Sequence, residues 1–445
     1  MTTVQPTAST EQPTASTDEP AWFVGFDWGS EKHRVALFDR TGKLIGRRDV
    51  AHSAPAYAEL GDWLLRSTQA SPTEIAVAIE TTHGPVVDAL IDRGFRVYAI
   101  NPKQLDRFRD RYSVAGAKDD TRDADTLGRS LRTDPEAFRA LSPDNPLIVQ
   151  LREATRTAAD LTRDLGRLTN QLRDLLWRYY PQMLALDDNL AAPWLLELWQ
   201  HAPTPAKGAR LHKETVARIL KTHRIRRLDA ERVRSILQEP PLPSAPGVTE
   251  AATGHIRLLL PRIRLLNSQI KAVHAEIDAL CQRLAGPQMI EPGGEPGGEP
   301  RESVPGQTIE QRDVAILHSV PGVGRIVGAT LLAEASEPLR RRDYHAIRTL
   351  AGQAPVTKRS GKSCFVQRRL ACNKRLANAM YHCARVAAVC DPSSRQRYAA
   401  LRARGCSHGR TLRSVADRLL KLLCTLLQRQ VPFDPNHNAK QAAAG

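Results

Sequence analysis

The chain has 445 residues, of which 41% are hydrophobic and 25% charged, which excludes a wholly disordered protein and indicates a folded one. Its 64 Lys and Arg against 48 Asp and Glu leave a net charge of +16, which favours a polyanionic partner. No apolar run reaches the ~20 residues of a membrane span, and no signal-peptide pattern is found, so we expect no membrane partner. The seven cysteines lack C-x-x-C spacing and are expected to be reduced thiols in the cytoplasm.

The N-terminal part predicts an α/β domain after a disordered leader. The leader, residues 1–20, repeats a pattern of Pro, Thr and Ser that cannot bury a core. The sequence then predicts five strands, at residues 23–30, 33–39, 43–48, 74–80 and 96–100. It also predicts two helices, at residues 55–68 and 85–93. Three antiparallel strands followed by alternating helix and strand are the order of a ribonuclease H-like domain.

Four carboxylates fall where this fold would bring them together. Asp27 and Glu80 each end a predicted strand, while Asp120 and Asp123 are three residues apart at the start of a predicted helix. Hard divalent cations require oxygen ligands, and two of them ~3.5–4 Å apart can activate a phosphodiester and hold its leaving group. Singly, each residue has a structural alternative as a turn former, a solvated strand end or a helix cap. Jointly they predict a metal site.

The segment Asp27-Trp28-Gly29-Ser30 also fits the first phosphate loop of actin-like and sugar-kinase-like ATPases. Such an ATPase would need a second acidic phosphate loop and a Gly-rich adenosine loop. The sequence contains neither pattern, so this alternative is the weaker one.

The middle of the chain carries two heptad seams, over residues 147–175 and 256–284. They could pair with each other as an antiparallel coiled coil or with a second subunit. Residues 182–240, between the seams, predict short basic helices and a small subdomain that contacts nucleic acid. Arginines along the first seam either meet phosphates or form a solvated face: Arg152, Arg156, Arg163, Arg167 and Arg173.

Two C-terminal motifs suit contact with phosphate. The turn Pro321-Gly322-Val323-Gly324 is similar to that of helix-hairpin-helix modules, although a tight turn between core helices would look alike. Ser360 follows Lys358 and Arg359 and precedes Gly361-Lys362. Read alone it is an ordinary loop serine, because nothing local supplies the base that a serine nucleophile needs. Helices are predicted at residues 376–390 and 411–428.

Taken in order, these motifs resemble the DEDD transposases of bacterial insertion sequences, which are RNA-guided serine recombinases. The resemblance is carried by residues 26–33, 79–80, 101–124, 319–324 and 360–362. It implies a resolvase-like N-terminal domain joined by a coiled coil to a C-terminal transposase domain. Asp27, Glu80, Asp120 and Asp123 match the family's metal-binding acids, and Ser360 matches the serine that becomes linked to DNA. Asp119 stands where the family usually has a small residue.

The resemblance further implies a DNA transposase or recombinase of a mobile element that cuts and rejoins DNA by metal-assisted serine attack. Its expected cofactor is Mg²⁺, as two ions that Mn²⁺ could replace. Its expected partners are donor and target DNA, a structured guide RNA and further copies of itself, as a dimer or tetramer with sites assembled between subunits. We expect it at the bacterial nucleoid. The alternative is a metal-dependent, junction-resolvase-like nuclease in which Ser360 is structural, and an inactive nucleic-acid scaffold comes third.

We therefore predict six segments. They are the leader 1–20, the ribonuclease H-like catalytic domain 21–145, the coiled-coil helices with the basic helical insertion 146–285, a flexible Pro/Gly linker 286–310, a mostly α C-terminal transposase domain 311–430 and a tail 431–445.

Overall fold

The computed structural model describes residues 19–112, 120–142, 145–286, 309–361 and 363–435. Most of the predicted leader, linker and tail lies outside these ranges, as do Asp119, Lys362 and the side chain of Asp120. The chain forms two compact units, Met1–Asp144 and Asn145–Gly445. Among the described helices, none is both long and apolar enough to cross a membrane. The six predicted segment boundaries stay predictions.

The N-terminal unit is a mixed α/β sheet with helices, as the strand pattern predicts. Its elements are β1 (Trp22–Asp27), β2 (Lys32–Phe38), β3 (Leu44–Ala51), α1 (Ala54–Thr68), β4 (Ile75–Ile79), α2 (Pro85–Asp92), β5 (Arg96–Ala99), α3 (Pro102–Tyr112), α4 (Asp120–Thr133) and β6 (Arg139–Ala140). The five strands expected from the sequence are confirmed. The two-residue β6 was not predicted, because it is too short to show an alternating pattern.

The sheet has the strand order β3-β2-β1-β4-β5-β6. The first three strands are antiparallel, β4 and β5 run parallel to β1, and β6 is antiparallel to β5. Every residue of β4, Ile-Ala-Val-Ala-Ile, is buried, as expected for a central strand with both faces covered. Helices α1 and α2 pack on one face, and α3 and α4 pack on the other.

Helix α4 lies unusually close to β1 because both elements carry glycine at the contact. A Cβ on Gly25 would lie 1.8 Å from the carbonyl oxygen of Ala124, and one on Gly128 would lie 2.9 Å from the Gly25 nitrogen. Both positions therefore exclude a side chain. This contact fixes the start of α4 beside the end of β1.

The C-terminal unit is mostly helical. Its elements are α5 (Pro146–Tyr179), α6 (Pro193–His201), α7 (Pro205–Ala209), α8 (Lys213–Thr222), α9 (Ala230–Leu237), α10 (Val248–Ala285), α11 (Ile309–Ser319), α12 (Arg325–Glu334), α13 (Ser336–Arg340), α14 (Tyr344–Leu350), β7 (Val356–Ser360), β8 (Ser363–Gln367), α15 (Lys374–Cys390), α16 (Pro392–Ala403) and α17 (His408–Arg429). Helix α16 and the β7–β8 hairpin were not predicted.

The two heptad seams pair with each other within the chain, as the antiparallel alternative expected. The start of α5 shares a hydrophobic core with the end of α10 and with α11 to α17. The end of α5 shares a second core with the start of α10 and the short helices α6 to α9. Leu161, which belongs to neither core, and Leu165, which packs against the second, are only half-buried.

The arginines of α5 mostly bind groups of the protein itself. The Arg152 Nε donates to the Ala333 carbonyl oxygen over 2.9 Å, and the Arg156 Nε pairs with Glu334 Oε1 over 2.9 Å. Arg163 and Arg167 pair with carboxylates one helical turn away, at 3.0 and 3.3 Å. This face of α5 is therefore largely neutralised, which argues against a row of phosphate contacts.

The predicted tail, residues 431–445, begins with residues that pack against the C-terminal unit. The side chain of Phe433 packs against the C-terminal core. Its backbone N–H donates to Ser319 Oγ over 2.8 Å. Residues 436–445 lie outside the described ranges.

Candidate active site

Two of the predicted site residues lie side by side at the end of the central strands. The parallel ladder of β1 and β4 ends with the pair Phe26 and Ile79. Asp27 and Glu80 directly follow this pair, so both carboxylates emerge at the same edge of the sheet. Both residues are half-buried. In open α/β sheets this carboxyl edge is where ligands bind.

Helix α4 brings a third carboxylate to this edge. Asp123 precedes Ala124, the residue whose carbonyl oxygen faces Gly25 two positions before Asp27. Its side chain is only 3% exposed. Asp120 is the first residue of α4. The structure thus places Asp27 and Glu80 at one edge of the sheet, with Asp123 on the adjoining helix, while the role of these three and of Asp120 as metal ligands stays a prediction.

An arginine that the sequence did not single out joins this cluster. Arg109 on α3 donates from Nε to Asp123 Oδ1 over 2.6 Å and from Nη2 to Asp123 Oδ2 over 2.8 Å. The same Nη2 lies 3.2 Å from Glu80 Oε1, and Nη1 lies 2.5 Å from Asp106 Oδ1. No spacing rule separates Arg109 from Arg107 and Arg111 on the same helix, so the sequence offers no signal for it.

The electrostatics of the cluster follow from this contact. Partial burial lowers the pKa of Arg109, but the hydrogen bond to Asp123 and the charges of Asp123, Glu80 and Asp106 outweigh it, so the pKa is raised overall. Within the described part of the chain, no group of three or more His, Cys, Asp and Glu is arranged to hold a metal ion. The carboxylate donors suit a hard divalent cation.

A buried histidine holds the loop that follows Asp27. His33 is 1% exposed, and its Nδ1 accepts the Gly29 N–H over 3.2 Å. Its Nε2 lies 3.0 Å from the Tyr57 hydroxyl, which in turn lies 2.6 Å from Nδ1 of His52. Burial, and then the charge of His52, lower the pKa of His33. The neutral ring can therefore keep Nδ1 as the acceptor that holds residues 28 and 29 in place.

Ser360 lies in the other unit, at the tip of the β7–β8 hairpin. It pairs across the hairpin with Ser363, and Gly361 in the turn has a φ of +53°. Residues 357–361 and 363–366 are exposed. The serine is therefore open to a large substrate, and the structure places Lys358 and Arg359 on the same strand.

The turn predicted at Pro321–Gly324 lies between helices α11 and α12. Gly322 has a φ of +82°, and a Cβ there would lie 2.3 Å from the carbonyl oxygen of Cys383 on α15. Packing alone thus explains this glycine. Phosphate contact stays a prediction for the exposed side of the turn at Gly324.

The C-terminal unit contains most of the positive charge of the protein. The residues between Asp343 and Asp417 include fifteen Lys and Arg but one acid, Asp391, a net +14 of the chain's +16. Partial burial and the charges of Arg368 and Arg410 lower the pKa of Arg413. In the described ranges, no carboxylate pairs with any of these three arginines. A cluster of this kind favours an anionic partner.

Carboxylates at the ends of central strands, together with a strongly basic helical region, are typical of enzymes that act on phosphodiester bonds. Comparison with known proteins supports this class. Residues 24–181 match the family model of the DEDD transposases of the IS110 type, and residues 314–399 match that of the IS116/IS110/IS902 transposases.

The chain is also similar to individual proteins of insertion elements. A candidate mini-circle transposase for IS117 from Streptomyces coelicolor is 34% identical over 93% of this chain and 95% of its own length. A candidate transposase, y4uE, from Sinorhizobium fredii is 52% identical, but over 47% of this chain and 58% of its own length. An uncharacterized protein of insertion element IS116 from Streptomyces clavuligerus is 26% identical over 95% of this chain and 98% of its own length.

The chain belongs to the IS110/IS116 family of transposases, which are enzymes of mobile elements that act on DNA. The resemblance seen in the motifs is thereby confirmed at the level of the family. Transposases of the DEDD type typically use divalent metal ions.

Proposed function

We propose that this transposase cuts and rejoins DNA by metal-assisted attack of Ser360 on a phosphodiester, guided by a structured RNA. The observation that carries the proposal is that Asp27 and Glu80 end neighbouring parallel strands at one edge of the sheet, where Arg109 contacts both Glu80 and Asp123. With Asp120 they would supply oxygen ligands for Mg²⁺, which would polarise the scissile phosphate and activate the serine hydroxyl. Mn²⁺ has similar requirements and should replace it.

The topology supports a ribonuclease H-like, resolvase-like N-terminal domain. Its antiparallel β1–β3 are followed by β4 and β5, which are parallel to β1. The acids lie at the ends of β1 and β4 and on α4, as expected for such a domain. We infer that this unit provides the metal centre of the reaction.

The exposure of the serine hairpin supports its role as the carrier of the nucleophile. Attack by Ser360 Oγ would join the serine to the phosphorus and release one DNA end as a hydroxyl. Because the metal and the serine must act on the same phosphate, we propose that they do so in a homo-oligomer assembled on donor and target DNA. A dimer or a tetramer would serve.

The charge of the C-terminal unit supports nucleic acid as its partner, including a guide RNA. A net +14 between Asp343 and Asp417 exceeds what an enzyme for a small substrate needs. The basic helices between α5 and α10 are a second candidate surface. A protein with these partners would be found at the bacterial nucleoid.

One observation favours a plain nuclease as the second candidate. The acidic cluster is formed entirely by residues of the N-terminal unit, whereas Ser360 belongs to the other unit. A metal-dependent cut by water would need only the cluster. In that case Ser360 would merely terminate a hairpin strand.

Denaturing gels distinguish the two. DNA of the element's ends would be incubated with the protein, Mg²⁺ and RNA that copurifies with it. A protein–DNA adduct that disappears in Ser360→Ala and persists in Ser363→Ala supports the transposase mechanism, because these two serines pair across the same hairpin. Free cleavage that survives Ser360→Ala would support the nuclease instead. Absence of any cleavage would indicate a scaffold.

A further inference from the structure

The acidic site contains a cation that the protein itself supplies. The guanidinium of Arg109 donates to both carboxylate oxygens of Asp123, at 2.6 and 2.8 Å. It also reaches Glu80 Oε1 at 3.2 Å. These are oxygens of two of the proposed metal ligands. A divalent ion and the guanidinium would therefore compete for the same atoms.

Burial explains why a counter-cation is needed. The side chain of Asp123 is 3% exposed and that of Glu80 29%, so one buried and one half-buried negative charge lie close together. A buried carboxylate without compensation is strongly destabilising. The bidentate guanidinium provides this compensation in the geometry that a carboxylate binds best.

Arg109 also contacts a carboxylate outside the proposed metal site. Its Nη1 contacts Asp106, three residues earlier on α3, and the side chain of Asp106 is 63% exposed. The guanidinium could keep this partner while it turned away from Asp123 towards solvent.

We propose that Arg109 is a displaceable counter-cation, which holds Asp123 and Glu80 before a divalent ion binds and must leave them when it does. The inference rests on the metal site of the proposed function. It adds a regulatory step, because metal loading is coupled to release of Arg109 and so to the contact of α3 with the site. It also explains how the buried carboxylate of Asp123 is stabilised without metal.

The test is a Mn²⁺ titration of the full-length protein without nucleic acid. Calorimetry and electron paramagnetic resonance would measure the binding of the ion. Arg109→Gln is expected to bind Mn²⁺ about tenfold more tightly, since the ion no longer displaces a charged hydrogen-bonded pair. In EDTA the Tm of the same variant should be lower than that of the wild type. Addition of Mn²⁺ should raise the Tm of the variant by more than it raises that of the wild type. Arg109→Lys, which keeps the charge and loses the bidentate geometry, should bind with intermediate affinity.

Arg111→Gln is the matched control. Arg111 lies on the same helix but pairs with Asp134 over 2.9 Å, so its loss should leave the Mn²⁺ affinity unchanged. Unchanged or weaker Mn²⁺ binding by a folded Arg109→Gln would overturn the inference. If Arg109→Gln does not fold, Arg109→Lys takes its place: tighter Mn²⁺ binding than wild type supports the inference, and unchanged or weaker binding overturns it.

Asp123→Asn separates this inference from the proposed function. Loss of Mn²⁺ binding in Asp123→Asn without tighter binding in Arg109→Gln would refute only the role of Arg109. Wild-type Mn²⁺ binding by Asp123→Asn would refute the metal site itself, and the role of Arg109 with it.

Discussion

Gly25 of β1 and Ala124 of α4 approach so closely that a methyl group on Gly25 would lie 1.8 Å from the Ala124 carbonyl oxygen. The contact sets the distance between the end of β1, with Asp27, and the first turn of α4, with Asp123. The relative position of the two carboxylates therefore depends on Gly25, a residue that has no side chain.

We expect Gly25→Ala to destabilise the N-terminal unit by about 1–3 kcal/mol or more, because the clash is with backbone and cannot be relieved by a rotamer change. Urea denaturation of the wild type and the variant would measure the change in the free energy of unfolding. Gly166→Ala is the control, since Gly166 is exposed within α5 with nothing near its Cβ position. That change should stabilise by about 0.5–1 kcal/mol. A loss below ~1 kcal/mol in Gly25→Ala would contradict the close contact.

Asp123→Asn should reduce metal-dependent DNA cleavage by ~100-fold or more, because an amide is a poor ligand for a hard divalent ion and loses the charge that holds it. Binding of guide RNA should stay nearly intact. Cleavage kinetics would measure the loss of activity, and RNA gel shifts on the same samples would measure the binding of guide RNA.

Asp125→Asn is the control for that experiment. Asp125 lies in the same acidic run, but it pairs with Arg47, with Oδ1 3.0 Å from Nε. This partly exposed pair contributes about 1 kcal/mol or less to stability, so cleavage should persist. Equal loss of activity in both variants would argue against a special role for Asp123.

Stability should decrease as the pH falls below about 6.5, the ordinary pKa of histidine, in part because of His33. Burial lowers the pKa of His33 in the folded state, so the unfolded chain binds a proton at a higher pH than the folded chain does. Acidification from 6.5 down to the folded-state pKa therefore favours unfolding, by at most ~1.4 kcal/mol per pH unit for each such histidine. His318, whose pKa burial also lowers, contributes with the same sign.

His33→Asn should remove the His33 share of this slope while its side-chain oxygen still accepts the Gly29 N–H. The measurement is the free energy of unfolding in urea at pH 7.5 and pH 5.5. His83→Asn, at an exposed position, should leave the slope as in wild type. An unchanged slope in His33→Asn would mean that this histidine does not titrate in that range.

The double change Arg410→Gln and Arg413→Gln should weaken nucleic-acid binding and make it less dependent on salt. Each lost phosphate contact lowers the slope of log K against log salt by about 0.9 for duplex DNA and ~0.7 for single strands. Filter binding over a salt series would measure it. Arg163→Gln with Arg167→Gln is the control, because both already pair with carboxylates on α5. A full wild-type slope in the Arg410/Arg413 variant would place the partner elsewhere.

Much of this protein can be predicted from local patterns. Apolar alternation predicts the five strands of the N-terminal sheet, and the acids that end two of them identify Asp27 and Glu80. The heptad spacing predicts α5 and α10. These features are readable because residues close in sequence determine strand and helix periodicity and what stands at each element's end.

Tertiary structure alone decides which elements meet. It pairs α5 with α10 inside the chain, where the seams also allowed pairing with a second subunit. It also binds Arg152 and Arg156 to groups of α12, where the sequence also allowed contacts with phosphate. It also brings Arg109 onto Asp123, although α3 carries several arginines with nothing in the sequence to distinguish them. The reason is that an ion pair between two helices depends on how both dock against the sheet, and the docking of α4 requires the absence of a side chain at Gly25.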